Sequence, residues 1–377
     1  MSTIINATTT NGVVIQPDNS GSLALQSNGT TMASATSSGF NIGGAVASGF
    51  TMKNRIINGA MVINQRAASV TSDAYTVDRF KYGAGQASKA TVAQSSIAPA
   101  GFVYSLGVTS SSSYSVLSTD VFGIFQYIEG YNFANLNFGT ANAQTVTLSF
   151  WVRSSLTGTF GGSILNYAGN RSYPFTYTIS TTNAWEQKSI TIAGDTSGTW
   201  IGATNAGAAI VCLGLGTGST YSGSSGSWTS NQYYSATGAT SVVGTNGATL
   251  YITGIQLEAG SQATSFEYRP IDAEFASCQR YYIGDGTTYY SQGAVDGAYN
   301  TEGMFINLPI QMRTDPTVVA YGWSKGGHIN GSNTSNPANA NVAASPTSFL
   351  LRWASGSPAY RAYGYYGTIN PYLSAEL

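Results

Sequence analysis

The sequence predicts an all-β protein with a β-sandwich at its centre, and three observations support this fold class. Residues 145–152 read TVTLSFWV, where apolar and polar side chains alternate before the run becomes continuously apolar, as in a core strand of a sandwich. Residues 188–192 and 250–257 are similarly rich in Thr, Val, Ile and aromatic side chains. Across residues 51–272, no apolar repeat of helical period lasts for twelve residues.

Residues 1–50 are predicted to form a separate arm of short strands. Leu23 and Leu25 alternate with small or polar neighbours, and the dipeptide Asn28-Gly29 is typical of a two-residue hairpin turn, which needs positive φ at both positions. The arm has too few large apolar residues to form a core of its own. We therefore expect neighbouring chains or a docking partner to hold it, the alternative being an arm that lies on its own domain.

Two further segments depart from the sandwich pattern. Residues 216–248 are rich in Gly, Ser and Thr, which predicts a long excursion over the surface. The segment 270–282 is the only plausible helix, with Asp272 as its N-cap. We expect a short helix at 273–282 to bridge the sandwich, residues 51–272, to the rest of the chain.

Residues 283–377 are predicted to return to strands and to form a C-terminal β tip domain. The clearest strands are 304–310 and 348–353. Residues 325–346 lie between them and have the polar, Gly- and Asn-rich composition of an extended loop.

The composition argues against an enzyme. Only 8% of the 377 residues are charged and one is a histidine, whereas 45 are glycine and 25 are tyrosine. An average soluble domain is about 25% charged. Side chains for acid–base and metal chemistry are therefore scarce, and we predict no catalytic residue, no cofactor and no metal. A formal net charge of -1 offers no electrostatic attraction for nucleic acid or an anionic membrane.

The low charge also predicts assembly with other chains. Hydroxyl and amide side chains can be buried against another subunit without stripping water from ions. The start, MSTIINATTT, has neither the basic nor the apolar region of a secretory signal, and the most apolar stretch, 206–216, is too short to cross a bilayer. Cys212 and Cys278 fit neither a zinc site nor a disulfide framework. We expect an obligate assembly made in the cytoplasm, with no membrane insertion.

Three stretches of the chain, in this order and spacing, carry a family resemblance. They are NRIINGAMVINQR with YTVDRF at 54–66 and 75–80, then AWE, ITI and GDTSGTW at 184–186, 190–192 and 194–200, and finally LYITGIQLEAGSQATSFEYRPIDAEFASCQRYY at 250–282. Together they resemble the carbohydrate-binding-module-like jelly-roll region of bacteriophage tail fibres and related virion proteins. The phrase PIQMRTDP at 309–316 is similar to the tip domains that follow this module.

The resemblance implies a jelly-roll sandwich in a virion component that is usually homotrimeric. In such proteins the N-terminal end faces the particle and the C-terminal end faces the host. On this basis residues 1–50 are expected to attach the protein to other virion structural proteins, and residues 283–377 are expected to reach the host cell. Synthesis would take place in the host cytoplasm.

Candidates for catalysis or metal binding each have a structural alternative. His328 lies in a Gly-, Asn- and Ser-rich stretch, where a turn role is favoured over a catalytic one. Asp195 with its neighbouring hydroxyls has the hard oxygens that calcium prefers, but an aspartate that bonds its own turn is the favoured interpretation. Asp78 and Arg79 are expected to form an ion pair. A glycan hydrolase needs two carboxylates, and no spacing selects a pair among Asp78, Glu186, Asp195, Glu258, Glu267 and Asp272.

Aromatic side chains are the most plausible binding groups. Sugars present apolar C–H faces that stack on Trp and Tyr, while amides and carboxylates bond the hydroxyls. Core or interface packing is the alternative role for each ring. The candidates for carbohydrate binding are Tyr289, Tyr290 and Trp323 in the predicted tip, and Trp228, Tyr233 and Tyr234 in the segment 216–248.

The residues and the resemblance together lead us to expect a non-enzymatic, homotrimeric tail fibre of a virion. Its expected role is host-cell attachment through multivalent, non-covalent binding of surface glycan. A fibre or decoration protein on the capsid is the first alternative. A tailspike that degrades glycan is the second.

Overall fold

The structure is a computed structural model that describes most of the chain. The backbone is described for residues 23–27, 30–36, 39–42, 45–46, 53–284, 289–293, 301–326, 340–346, 348–354 and 365–377. Side chains are described for 53–284, 307–317, 345–346, 348 and 373–377.

The N-terminal strands form one antiparallel sheet in the order β1-β2-β3-β4. Ser27 of the first strand pairs with Thr30 of the second, which confirms the predicted hairpin with its two-residue connection. The connecting residues Asn28 and Gly29 lie outside the described ranges. The strands are β1 (Leu23–Ser27), β2 (Thr30–Thr36), β3 (Gly39–Ile42) and β4 (Ala45–Val46).

The next fourteen strands build the predicted sandwich, which confirms the all-β, jelly-roll class. They are β5 (Ser69–Val70), β6 (Ala74–Tyr75), β7 (Lys81–Ala84), β8 (Ala90–Ser95), β9 (Ser105–Ser110), β10 (Val121–Glu129), β11 (Val146–Ser154), β12 (Gly158–Asn166), β13 (Ser172–Ile179), β14 (Glu186–Ile192), β15 (Gly207–Thr217), β16 (Ser222–Gly223), β17 (Ser235–Ala236) and β18 (Thr249–Ala259). Two 3₁₀ turns, Gly130–Asn132 and Ala134–Leu136, follow β10.

Two six-stranded sheets make the sandwich. Sheet I has the order β13-β12-β15-β10-β7-β6 and sheet II the order β14-β11-β18-β9-β8-β5. The predicted strands 145–152, 188–192 and 250–257 correspond to β11, β14 and β18. The remaining strands, β16 and β17, form a small parallel pair.

The core lies between the two sheets and follows from the alternation of side chains along each strand. In β11, Val146, Leu148, Phe150 and Val152 all point inward and are fully buried. They pack in one cluster with the inward side chains of sheet I. Burying each such side chain contributes about 1.5–3 kcal/mol relative to leaving it in water.

The predicted helix is present but shorter and shifted. Helix α1 spans Ile271–Gln279 instead of 273–282. Asp272 is not its N-cap, because Pro270 occupies that position and no side chain caps the helix. Asp272 lies in the first turn, where a negative charge is favourable. Within the described part of the chain, no helix is long and apolar enough to span a membrane.

In the described ranges after the helix, seven strands form two sheets. One has the order β19-β25-β20 with β22 also paired to β25, and the other has the order β21-β24-β23. The strands are β19 (Tyr282–Ile283), β20 (Tyr289–Gly293), β21 (Thr301–Asn307), β22 (Thr317–Gly326), β23 (Ala340–Ser345), β24 (Ser348–Ala354) and β25 (Tyr365–Ser374).

The strands predicted at 304–310 and 348–353 correspond to β21 and β24. The loop predicted at 325–346 is wrong for its last part, because residues 340–345 form β23 and pair with β24 along their whole length. Residues 327–339, which include His328, lie outside the described ranges.

Buried charges join the sandwich to the residues after β25. Glu376 accepts hydrogen bonds from both Arg66 and Arg79. The Arg79 side chain is only 1% exposed, and its guanidinium also lies 3.5 Å from the ring centre of Tyr281. An ion held this far from water depends on its partner, since the Coulomb attraction has to offset the loss of hydration.

The expected Asp78–Arg79 ion pair is wrong. Asp78 accepts hydrogen bonds from the backbone N–H of Gln65 at 2.7 Å and from its side-chain amide at 2.9 Å. Arg79 has a left-handed backbone conformation with φ 70°, and its side chain reaches Glu376 instead. Burial raises the pKa of the Asp78 carboxyl, although Arg66 and the bonds from Gln65 act in the opposite direction.

We predict that Glu376→Gln lowers the free energy of unfolding by about 3–5 kcal/mol, because it leaves Arg79 buried without a counter-ion. Chemical denaturation measures this. The matched control is Asp73→Asn, which removes the half-exposed partner of Lys81 and should cost less than about 1 kcal/mol. Equal losses in the two variants would contradict the prediction.

Candidate functional site

The outer face of sheet I, which points away from the core, is itself apolar. Phe125, Leu165, Ile210 and Cys212 form a second buried cluster on this face, separate from the main core. They alternate with core residues such as Ile124 in β10. A sheet face of this composition has to be covered, because contiguous apolar surface is unfavourable in water.

The segment 221–239 supplies part of this cover. Its Thr229 exchanges backbone hydrogen bonds of 2.9 and 3.0 Å with Ser172 at the start of β13. A Cβ atom at Gly161 of β12 would lie 2.4 Å from the Ser235 Oγ atom, so only glycine allows the segment to lie this close to the sheet. Val242 and Val243, farther along, are fully buried. Parts of the predicted excursion at 216–248 therefore pack against the sandwich, while residues 219–220, 224–227 and 230–232 are exposed as expected.

A cleft of about 310 Å³ opens where this layer ends. The rings of Phe125 and Tyr127 line it from the sheet, and those of Tyr221 and Tyr234 line it from the covering segment. Tyr234 lies edge-on to Phe125 with ring centres 5.6 Å apart, and it lies 5.8 Å from Tyr221. Gly83 makes room for the Phe125 ring, since a Cβ atom there would lie 2.4 Å from it.

The rim of the cleft is polar and electrically balanced. Lys81 and Asp73 form an ion pair of 3.0 Å. Gln232 donates a hydrogen bond of 2.8 Å to the Tyr234 hydroxyl, and its side-chain oxygen, which accepts from no described residue, can accept another. Because the two charged residues of the lining have opposite signs, the cleft has no net charge.

The phenols of the cleft stay protonated at neutral pH. Burial raises the pKa of Tyr127 far above its usual value, and the neighbouring Tyr234 adds to the shift. Burial also raises the pKa of Tyr234. Both hydroxyls can therefore donate as well as accept hydrogen bonds. Aromatic rings beside neutral donors and acceptors suit a ligand that has both apolar faces and hydroxyl groups.

Of the three candidates in segment 216–248, only Tyr234 lines the cleft. The ring of Tyr233 lies against Gly223, where a Cβ atom would be 2.2 Å from it. Trp228 packs edge-on against Trp200 at one end of the sandwich and donates its indole N–H to the Ala193 carbonyl at 2.7 Å. Trp228 is thus half-buried and packs against the edge of the core.

The three candidates of the predicted tip lie on one sheet. Tyr289 and Tyr290 belong to β20, and Trp323 belongs to β22. Tyr290 and Ser324, the residue after Trp323, both pair with Thr368 of β25, from opposite sides. The side chains of these three aromatic residues lie outside the described ranges.

Among the lining residues to which we assign a role, sequence reasoning found only Tyr234 and missed Asp73, Lys81, Phe125, Tyr127, Tyr221 and Gln232. A signal for Phe125 and Tyr127 exists in the sequence. Residues 121–129 read VFGIFQYIE, with apolar side chains at neighbouring positions instead of strict alternation. Such a run indicates a strand that is covered on both faces.

Five of the six candidate carboxylates form hydrogen bonds or ion pairs within the fold. One of the five is Asp78, which accepts from Gln65. Asp195 forms two hydrogen bonds of 2.7 Å with Arg171, so a guanidinium occupies the position considered for calcium. Burial alone would raise the pKa of Asp195, but hydrogen bonds from Arg171 and Trp200 outweigh it and the pKa is lowered. Glu186 accepts a hydrogen bond from the Lys188 ammonium group, and Glu258 accepts one from the Thr264 hydroxyl. Glu267 accepts one from the backbone N–H of Lys53.

The sixth carboxylate, Asp272, is exposed on α1. Across the residues whose side chains are described, no three His, Cys, Asp or Glu side chains lie close enough together to hold a metal ion.

No protein-family model and no curated protein matches the sequence. Among solved structures, the chain is similar to the enzymatically active domain of bacteriophage CBA120 tailspike protein 4, at 13% identity and a TM-score of 0.29 over 55% of this chain and 21% of that chain.

Two binding modules are similar at the same level. One is the family 11 carbohydrate-binding module of a Clostridium thermocellum cellulase, at 12% identity and a TM-score of 0.26 over 52% of this chain and 98% of that chain. The other is the N-terminal cellulose-binding domain of Cellulomonas fimi β-1,4-glucanase C, at 12% identity and a TM-score of 0.22 over 52% of this chain and 90% of that chain.

We predict that neither cysteine reacts with a thiol reagent in the folded protein. Cys212 packs with Phe125 in the outer cluster and Cys278 lies on the buried side of α1, and both are free and fully buried. Burial raises the pKa of both thiols, and the thiolate is the reactive form. Titration with Ellman's reagent at about pH 8 should detect no thiol in the native protein. After unfolding in guanidinium chloride it should detect both. Rapid labelling of Cys212 in the native state would show that the outer cluster is open to water.

Proposed function

We propose that the protein binds glycan through the cleft formed by Phe125, Tyr127, Tyr221 and Tyr234. The observation that carries this proposal is the combination of an aromatic lining with a balanced polar rim. A pyranose ring places its C–H face on an aromatic ring while its hydroxyls bond Gln232 and the Asp73–Lys81 pair. The absence of net charge in the cleft favours a neutral sugar over a charged one.

We further propose that this binding serves host-cell attachment by a phage virion, in which the chain is a non-enzymatic, homotrimeric tail fibre. The family resemblance of the sequence motifs supports this role. Residues 1–50 would join the other virion proteins, and the rest of the chain would present the glycan site. Linking several weak sites in one particle raises the overall avidity by about 10²–10⁴ without any new contact.

Two other roles remain as alternatives. A decoration or fibre protein on the capsid would carry the same sandwich, and labelled antibody on intact particles separates the two locations. A glycan-degrading tailspike would release reducing sugar from host polysaccharide. Five of the six candidate carboxylates are already bonded within the fold, which favours binding over cleavage.

We predict that Tyr234→Ala and Tyr127→Ala each weaken the binding of a neutral oligosaccharide about tenfold or more, by analogy with aromatic stacking on nucleic-acid bases, which is worth about 1–3 kcal/mol. Calorimetry with the best ligand from a panel of neutral oligosaccharides measures the effect. Binding should not change up to about pH 9, because the pKa of both phenols lies above the ordinary value of about 10.

The matched control for these variants is Tyr251→Ala, which removes a half-buried tyrosine from the outer face of sheet II. It should leave binding unchanged. If all three variants bind equally well, the cleft is not the glycan site.

We predict that adsorption of purified protein to host cells falls for Tyr234→Ala and persists for Tyr251→Ala. The sequence-based candidates are tested in parallel with Trp323→Ala and Tyr290→Ala. Each variant should first show a mass near three times 39.3 kDa by light scattering. Loss of adsorption only in the Trp323 and Tyr290 variants would move the site to residues 283–377. A folded monomer would contradict the trimer, and no adsorption by the unaltered protein would favour the capsid alternative.

A further inference from the structure

A second, larger cleft lies where the sandwich meets α1 and the residues after β21. Its volume is about 610 Å³, and it shares no lining residue with the aromatic cleft. Ile57 and Met312 form an apolar base, and both are buried. Tyr131 stands at the side with 61% of its surface exposed, although it is a large aromatic residue.

The charge of this cleft is unbalanced. Arg280 donates two hydrogen bonds to the Glu129 carboxylate, at 2.5 and 2.9 Å, so these two charges offset each other. Arg313 donates only to carbonyl oxygens, those of Asn205, Ala375 and Glu376, at 2.7–3.0 Å. Among the described side chains, no carboxylate lies within salt-bridge distance of Arg313. One positive charge therefore remains uncompensated in the lining.

Both guanidinium groups retain hydrogen-bonding capacity. A guanidinium has five N–H donors. Arg313 uses three of them on carbonyl oxygens, and Arg280 uses two on Glu129 and one on the Gln311 carbonyl at 3.4 Å. Two N–H groups on each arginine thus have no acceptor among the described residues. The planar fork of donors matches the two oxygens of a carboxylate.

The remaining lining suits a sugar. The side-chain amides of Asn132 and Gln311 face the cleft and form no hydrogen bond with any described residue. The Ser277 hydroxyl, which donates to the Ala273 carbonyl at 2.8 Å, still has a lone pair to accept. These groups complement sugar hydroxyls, and the exposed ring of Tyr131 complements a sugar face.

We propose that this cleft binds an acidic saccharide, with its carboxylate on Arg313 and Arg280 and its ring on Tyr131. The site goes beyond the proposed function, because both its position and the charge of its ligand differ from those of the aromatic cleft. A protein with both sites would recognise a polysaccharide that contains neutral and acidic sugars.

The test is calorimetric titration of the full chain with an oligosaccharide of galacturonic acid, alongside the galactose oligosaccharide of equal length. The acidic ligand should bind this cleft and the neutral one should not. Tyr131→Ala should weaken the acidic ligand about tenfold or more. Among the described residues, the one hydrogen bond of Tyr131 joins its backbone N–H to the Thr204 carbonyl and does not depend on the side chain, so the variant should fold normally.

Charge is tested separately with Gln311→Glu, which keeps the side-chain shape and cancels the excess positive charge. Binding of the acidic ligand should fall several-fold, and the loss should shrink in high salt because ions screen the repulsion. The matched control is Gln187→Glu, the same change at an exposed position of β14. It should have no effect.

Two results would overturn the proposal. One is unchanged binding of the acidic ligand to the Tyr131 and Gln311 variants. The other is complete competition by inorganic phosphate together with unchanged binding to Tyr131→Ala, which would indicate a general anion site without sugar recognition. Tyr234→Ala should leave the acidic ligand unaffected, so failure of this site and failure of the aromatic cleft are distinguishable.

Discussion

Sheet I has apolar side chains on both faces, and the arrangement of the sandwich follows from the need to shield both from water. Its inner face packs against sheet II, while Phe125, Leu165 and Ile210 on the outer face are also buried. Each such side chain gains about 1.5–3 kcal/mol from burial. The segment 221–239 lies over this outer face, and glycine at position 161 lets it approach closely. The inner side of this segment therefore shields the sheet, while its other side is exposed.

The aromatic cleft is the place where this cover is incomplete. Phe125 belongs to the outer cluster and also lines the cleft, and Tyr127 and Tyr234 pack against that cluster from the open side. The same chemistry that shields the sheet thus offers ring surface to a ligand. Because Phe125 serves both the outer cluster and the cleft, a substitution at Phe125 would lower the stability of the fold and weaken ligand binding together. Gln232 and Asp73 at the rim are freer to vary without loss of the fold.

Buried charge organises the other end of β10. Glu129, two residues beyond Tyr127, holds Arg280 after α1, while Arg79 holds Glu376 after β25. These pairs dock the helix and the residues after β25 on the sandwich, and in doing so they shape the second cleft. Because Arg313 donates to carbonyl oxygens and, among the described side chains, to no carboxylate, its positive charge is not neutralised there. One strand therefore contributes to two clefts of different electrostatic character.

Strands β11, β14 and β18 and the hairpin at Asn28-Gly29 could be predicted from the amino-acid sequence, because alternation and turn chemistry act between neighbours in the chain. The sequence also pointed to Tyr234, through the aromatic content of its segment. The folded structure is needed to see that Tyr127 joins Tyr234, that Trp228 packs half-buried against Trp200, and that Arg79 pairs with Glu376, 297 residues away, instead of with Asp78. These contacts depend on which surfaces, far apart in the sequence, pack against each other and exclude water. A local pattern of residues does not contain this information.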